Sequence, residues 1–226
     1  LNRRRNVFGP SLSLSYQGPL IIVRRQAQSL IDFRGQFYLD CVNNVAHVGH
    51  SHPSIAKAQG DQAYVLNTNT RYLNPVNIEY AERLCELFPE PLNMCFLVCS
   101  GSEANELALR IASTVSGQKD MIVLEEAYHG NTKANIEISP YKHNGPGGTG
   151  PPEWVHQIPM PYLYRGLYRD PATAGKLYAD EVLKICEKVS GQGTPPAAFI
   201  CESMLGCGGQ VPLPDGFLKQ SYQHVR

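Results

Sequence analysis

Short apolar runs alternate along the chain with amphipathic stretches, and this alternation predicts strands followed by helices. Residues 94–98, 121–124 and 197–201 are apolar runs typical of buried strands, and a shorter strand is predicted at 156–160. Helices are predicted after residue 100, over residues 172–189 and over 214–226. Repeated strand–loop–helix units indicate an α/β fold with a mostly parallel sheet and helices on both faces.

In the helix predicted at 172–189, the apolar positions recur with helical spacing. The residues expected to face the core are Leu177, Val182, Leu183, Ile185 and Cys186.

The first part of the chain has a different pattern. We expect an irregular arm over residues 1–20 and a small β-hairpin made of residues 20–23 and 37–40, with a turn at 32–35. Helices are predicted at 54–64 and from Pro75 onward, and a surface loop at 140–153. We predict that residues 1–45 form the arm and hairpin and that residues 46–226 belong to one large domain.

Three polar clusters follow predicted strands, and ligands of parallel sheets bind beyond the carboxyl ends of strands. The clusters are Ser100 to Ser102, Tyr128 to Gly130, and Glu202. A strand that turns into a helix through Ser-Gly-Ser leaves backbone N–H groups free, which favours an anion. Ser100 and Glu103 also fit a capping box, so a capped helix without a ligand explains the local pattern equally well. Together the clusters suit a flat, phosphorylated ligand with a cationic ring.

Composition and charge narrow the class of protein. Lysine plus arginine and aspartate plus glutamate both number 20, so nothing suggests a nucleic acid or an acidic membrane as partner. The seven cysteines include no Cys-x-x-Cys pair, and the histidines of residues 47–52 lack the i, i+4 spacing of helical zinc sites, so no metal is predicted. No apolar stretch approaches the roughly 20 residues that span a bilayer. We therefore expect a soluble, cytoplasmic protein.

With these residues placed, the chain resembles the class III family of pyridoxal-phosphate-dependent aminotransferases. The matching pieces are residues 38–40, 49–53, 100–106, 128–130 and the strand that ends in Glu202. Within that family, residues 40–50, 66–72 and 138–142 are most similar to the ethanolamine-phosphate and phosphohydroxylysine phospho-lyase branch. The resemblance implies a fold-type I pyridoxal-phosphate-dependent transferase and a homodimer.

The resemblance also implies residue roles. Gly101 and Ser102 would bind the cofactor phosphate through backbone N–H groups, with help from the Ser102 hydroxyl. Tyr128 would stack on the pyridine ring, and Glu202 would support the acidic residue that pairs with the pyridinium nitrogen. His129 and Gly130 would line the pocket. Three further residues are candidates near the substrate: Asn44, His50 and Arg71.

Two features depart from the family pattern. Ser203 follows Glu202, where the family usually has proline. None of the lysines has the family's context for the Schiff-base lysine, which we expect downstream together with the pyridinium-binding aspartate. We therefore expect the N-terminal part of a longer enzyme, incomplete at its C-terminus, inactive alone and without a catalytic residue of its own.

Three functions follow from this interpretation. The first is transamination, in which an amine substrate gives its amino group to a carbonyl acceptor. The second is a phospho-lyase that acts on a phosphorylated amine such as ethanolamine phosphate. The third is a truncated module that binds or dimerises without catalysis.

Overall fold

The computed structural model describes residues 2–12, 14, 16, 18–42 and 47–226. The chain divides into two compact units, Leu1–Tyr80 and Ala81–Arg226, and each is described by itself.

The first unit contains a three-stranded antiparallel sheet. Its elements are the helix α1 (Asn2–Val7), the strands β1 (Ile22–Gln26), β2 (Ser29–Asp32) and β3 (Phe37–Leu39), and the helix α2 (Pro53–Val65). The helix α3 (Pro75–Cys85) contains the boundary between the units.

The predicted two-stranded hairpin is wrong in the number of its strands. The strands pair in the order β1-β2-β3, so β2 is a middle strand that the sequence analysis missed. This strand has only four residues, too few for a clear alternation of apolar and polar positions. The predicted turn at 32–35 is confirmed, since the Asp32 carboxylate accepts hydrogen bonds from the N–H groups of Arg34 and Gln36, both at 2.9 Å.

The second unit is built on a parallel three-stranded sheet with β4 (Met121–Leu124) at its centre. The neighbours of β4 are β5 (Val155–Ile158) and β6 (Ala198–Phe199), which gives the order β5-β4-β6. The other elements are the helices α4 (Gly101–Ser116), α5 (Lys133–Glu137), α6 (Pro140–His143) and α7 (Ala174–Gly191), the hairpin strands β7 (Met204–Leu205) and β8 (Val211–Pro212), and the helix α8 (Phe217–Val225).

Helices cover both faces of this sheet, as predicted. All four residues of β4 are buried, and successive side chains point to opposite faces. Ile122 and Leu124 pack in a cluster with residues of α7 and α8, whereas Met121 and Val123 pack with Leu109 of α4.

The strand predicted at residues 94–98 is wrong. These residues form neither a strand nor a helix, and Met94 and Phe96 are 87% and 69% exposed. A strand needs a neighbour to satisfy its backbone hydrogen bonds, and none of the described strands pairs with this stretch. An apolar run therefore does not form a strand by itself here.

Smaller differences concern loops and helix faces. The arm predicted to be irregular over residues 1–20 contains the short helix α1. The loop predicted at 140–153 begins with the one-turn helix α6, and α8 begins at Phe217 rather than at Pro214. Leu177 is 36% exposed, whereas Tyr178, the next residue of α7, is fully buried. Because adjacent helix positions lie about 100° apart, the core-facing stripe of α7 is rotated from the one predicted.

Candidate cofactor-binding site

The start of helix α4 presents unpaired donors. The Ser100 hydroxyl accepts a hydrogen bond from the Glu103 N–H at 3.2 Å, and the Glu103 carboxylate accepts one from the Cys99 N–H at 2.7 Å. The capping box is thus present, with its second bond moved to the residue before Ser100. Among the described residues, no acceptor is bonded to the N–H groups of Gly101 and Ser102. These donors and the positive end of the helix dipole are available to an anion.

There is space for an anion beside these donors. A Cβ atom added to Gly101 would meet no heavy atom within 4 Å, so the region beside this residue is open. The Ser102 hydroxyl oxygen accepts a hydrogen bond from the Asn131 N–H at 3.1 Å. A hydroxyl can accept and donate at once, so its own hydrogen remains available to a ligand.

The loop after β4 lies directly against this helix start. Gly130 has a φ of 135°, and a Cβ on it would lie 2.8 Å from the Ser102 Oγ and 3.0 Å from the Ser102 Cα. Only glycine combines this φ with so close an approach. The structure thereby brings together Gly130 and Ser102, which lie 28 positions apart in the sequence.

Side-chain hydrogen bonds join this loop and the helix α5 that follows it to α4 and to each other. Asn105 Nδ2 donates to the His129 carbonyl and Asn135 Nδ2 donates to the Ser102 carbonyl, both at 2.7 Å. The His129 N–H donates to the Ser139 hydroxyl at 2.8 Å. These supporting residues were not predicted from the sequence. The available signal was the spacing of Asn105, which lies three positions after Ser102 and therefore on the same helix face.

Tyr128 and Glu202 also meet. The Tyr128 N–H donates to Glu202 Oε1 at 3.0 Å, and the Gly206 N–H donates to Glu202 Oε2 at 2.9 Å. Glu202 therefore ties the loop after β4 to the segment after β6. The Tyr128 ring contacts the Tyr141 ring edge to face, with centroids 6.1 Å apart.

His129 is buried and neutral near pH 7. The residue is 5% exposed, and burial lowers the pKa of its imidazole to about 4, although the negative charge of Glu202 acts in the opposite direction. Its Nε2 has no hydrogen-bond partner among the described residues. The side chain adds no positive charge to the site at neutral pH.

The candidate substrate residues belong to the first unit or lie outside the described residues. His50 Nε2 lies 2.6 Å from Asp40 Oδ2, with both side chains buried, which gives His50 a structural role in that unit. Arg71 is exposed, and its N–H donates to Asn69 Oδ1 at 3.0 Å. Asn44 lies outside the described residues. Their contact with a substrate therefore stays a prediction.

A cavity of about 710 Å³ lies in the first unit, between residues 22–27 of the sheet and residues 48–53. All of its lining residues belong to that unit. We therefore keep the strand-end residues of the second unit as the candidate site, since they carry the donors suited to a phosphate.

The described residues offer neither a metal site nor a membrane-spanning helix. No group of three or more His, Cys, Asp or Glu that could hold a metal ion occurs in the described part of the chain. No helix within that same part is long and apolar enough to cross a membrane.

Comparison with known proteins adds the family context. The sequence model of the family described as aminotransferase class-III matches residues 13–223. The alanine–glyoxylate aminotransferase 2-like protein of Drosophila melanogaster is 44% identical over 99% of this chain and 46% of its own length. The ethanolamine-phosphate phospho-lyase homolog 1 of Caenorhabditis elegans is 35% identical over 100% of this chain and 50% of its own.

Solved structures resemble the chain in the same way. A phospholyase from Arthrobacter, in complex with phosphoethanolamine, matches with a TM-score of 0.88 and 33% identity over 100% of this chain and 53% of its own. An (S)-enantioselective omega-transaminase from Thermomicrobium roseum matches with a TM-score of 0.79 and 27% identity. This match covers 94% of this chain and 51% of the transaminase chain. The chain thus spans about half the length of the relatives that it matches.

Proposed function

Because this chain belongs to the aminotransferase class-III family and has the fold of the fold-type I transferases, we propose that the whole protein is a pyridoxal-phosphate-dependent aminotransferase. It would transfer an amino group from a small amine to a carbonyl acceptor. The observation that carries this proposal is the close approach of Gly130 to Ser102, which puts the Tyr128 loop beside the free donors of α4.

The residues of the strand-end site fit the cofactor. The N–H groups of Gly101 and Ser102 and the Ser102 hydroxyl would hold its phosphate, in the open region beside Gly101. The Tyr128 ring would cover its pyridine ring, while His129 and Gly130 would line the pocket. When bound, pyridoxal phosphate supplies an electron sink for the negative charge that develops at the amine-bearing carbon.

Glu202 acts in this proposal as a positioning residue. Both of its oxygens accept hydrogen bonds from backbone N–H groups, those of Tyr128 and Gly206. Its carboxylate therefore fixes the backbone from which the Tyr128 ring projects, and the support of a pyridinium-binding acid would be indirect. We assign the catalytic lysine to no residue of this chain.

The phospho-lyase is a second candidate function. The specific observation in its favour is the Arthrobacter phospholyase, whose structure matches the whole of this chain with a TM-score of 0.88. The 35% identity with the Caenorhabditis elegans phospho-lyase homolog supports the same activity. Both candidates need the same cofactor and begin with an amine substrate.

Assembly and location are finer points of the proposal. We propose a homodimer on the family resemblance. The sequence analysis expected the cytoplasm, but two relatives with 32–33% identity, from Arabidopsis thaliana and Homo sapiens, carry "mitochondrial" in their names. A cytoplasmic location is therefore a proposal, for which fractionation of cells is the test.

The activity is tested with the full-length protein loaded with pyridoxal phosphate. We would incubate it with alanine or another amine donor and with glyoxylate or another carbonyl acceptor, and measure the new amino compound by chromatography. A parallel reaction with ethanolamine phosphate would measure released inorganic phosphate. Amino transfer supports the aminotransferase, and phosphate release without transfer replaces it by the phospho-lyase. If neither product forms, the inert module is the remaining explanation.

A further inference from the structure

Lys142 differs from the other lysines in its surroundings. The chain has eight lysines, all among the described residues, and seven of them are exposed, whereas Lys142 is half-buried. No carboxylate of the described residues lies within 4 Å of its ammonium group, while Lys57, Lys176 and Lys184 each have such a partner. The stem of Lys142 is therefore packed, and its ammonium group is held in place without a carboxylate partner, which leaves it open to an anion.

The Lys142 ammonium lies at the aromatic side of the candidate site. Its Nζ lies 5.6 Å from the centroid of the Tyr128 ring and 5.7 Å from that of the Tyr141 ring. These distances allow cation–π attraction, which holds the ammonium group beside the two rings. Tyr128 is the residue that we assign to the cofactor ring.

An electrostatic effect places Lys142 near the β7–β8 hairpin as well. Burial raises the pKa of the Cys207 thiol and Glu202 acts in the same direction, whereas Lys142 lowers it. Lys142 and Glu202 therefore both lie within electrostatic range of Cys207, in the segment that Glu202 ties to Tyr128. The charge of Lys142 thus acts on both segments, and its contact with the Tyr128 ring places it at the site.

We propose that Lys142 binds the anionic group of the amine substrate and so determines the preference for amines that carry a phosphate or a carboxylate. This inference rests on the proposed function, since it needs an amine bound beside the cofactor. The cofactor phosphate has its own donors at the start of α4, so the Lys142 charge is available to a second anion. Ammonium groups bind phosphates and carboxylates as point charges, without the fixed geometry of a guanidinium.

The test measures dissociation constants of the full-length, cofactor-loaded protein for three amines of similar size, by the change in cofactor absorbance. The amines are ethanolamine phosphate, β-alanine and ethanolamine, which carry a phosphate, a carboxylate and no anion. Lys142→Gln should raise the dissociation constant at least tenfold for one or both anionic amines and less than twofold for ethanolamine. Lys142→Arg, which keeps the charge, should stay within about threefold of the parent. The anionic amine whose binding weakens more carries the anionic group of the natural substrate.

Lys119→Gln is the matched control. Lys119 also lies over an aromatic ring, at 4.9 Å from the Trp154 centroid, but it precedes β4 at the opposite end of the strand. The Lys119→Gln variant should bind all three amines with the dissociation constants of the parent.

Three results would overturn the inference. Equal losses for all three amines after Lys142→Gln would make Lys142 a structural residue. Weaker binding of pyridoxal phosphate, with pyridoxal unaffected, would assign Lys142 to the cofactor phosphate instead. A parent protein that binds none of the amines would contradict the proposed function itself, and the inference with it.

Discussion

At the scale of single residues, the site depends on close backbone contact between two segments. Gly130 is the point of contact, because its φ of 135° and its approach to Ser102 both exclude a side chain. The hydrogen bonds of Asn105 and Asn135 then hold the same two segments together. The geometry of the proposed phosphate site is thus set by backbone positions as much as by the side chains that would touch the phosphate.

The substitution Gly130→Ala should therefore destabilise the cofactor-free protein by about 2 kcal/mol or more, through strain and overpacking. Gly60→Ala is the control, since Gly60 lies inside α2 with no atom within 4 Å of an added Cβ. That variant should be stabilised by about 0.5–1 kcal/mol, as alanine favours helices. Urea unfolding measures both changes. Equal stability of Gly130→Ala and the parent would refute the described contact.

His129 makes a prediction about pH. In the unfolded chain the imidazole binds a proton below its ordinary pKa of 6.5, whereas in the folded protein it binds a proton only below about 4. The unfolded state therefore binds more protons between these values, and the free energy of unfolding should fall as the pH falls from 6.5 to 4, by up to about 3 kcal/mol from this residue.

Comparison of variants isolates this contribution from the other acid-sensitive groups. His129→Gln should lose less stability than the parent between pH 7 and pH 4.5 in urea unfolding, because glutamine does not titrate. The control is His52→Gln, at an exposed histidine, and it should follow the parent. Parallel curves for His129→Gln and the parent would show that folding does not lower the pKa of His129.

At the scale of elements, the site is made by segments that follow strands and by one helix start. The buried strand β4 fixes where the loop of Tyr128 begins, and β6 does the same for Glu202. Glu202 then joins the two segments, because each of its oxygens accepts one backbone N–H. A carboxylate suits this position better than an amide, which has a single oxygen acceptor.

Glu202→Gln should consequently leave one of the two N–H groups, of Tyr128 or Gly206, without an acceptor. We expect hydrogen exchange in residues 126–131 and 203–209 to accelerate about tenfold, which corresponds to about 1.4 kcal/mol, within the range for a donor that is left without its acceptor. Glu153→Gln, at an exposed glutamate outside both segments, should leave this exchange unchanged. Unaltered exchange in Glu202→Gln would rule out the described role.

At the scale of the molecule, the sequence predicted those parts that depend on local pattern. The continuous apolar run of β4 and the capped start of α4 are visible in adjacent residues, and both are confirmed. Residues 94–98 have an equally apolar pattern, but whether they become a strand depends on a partner strand, which no local pattern reveals. The family and the fold were also predicted correctly, from motifs that the chain keeps in the order of the family.

Contacts that depend on tertiary structure could not be predicted. Nothing near Lys142 in the sequence shows that its ammonium lies over the Tyr128 ring, 14 positions away. The hydrogen bond from Asn105 to the His129 carbonyl likewise joins residues 24 positions apart. Such contacts follow from the packing of loops on helices, which the fold decides as a whole. The boundary predicted between residues 45 and 46 stays a prediction.

Whether the start of α4 holds a cofactor phosphate can be tested by one comparison within this helix. Ser102 lies in the first turn of α4, and Ser116, in the last turn, donates to the Ala112 carbonyl at 2.7 Å. The measurement is the affinity of the full-length apoprotein for pyridoxal phosphate and for pyridoxal, which lacks the phosphate, by absorbance titration. Ser102→Ala should weaken pyridoxal phosphate binding at least tenfold and pyridoxal binding less than twofold, while Ser116→Ala should change neither. If Ser102→Ala keeps the full preference for the phosphorylated form, the start of α4 does not hold the cofactor phosphate.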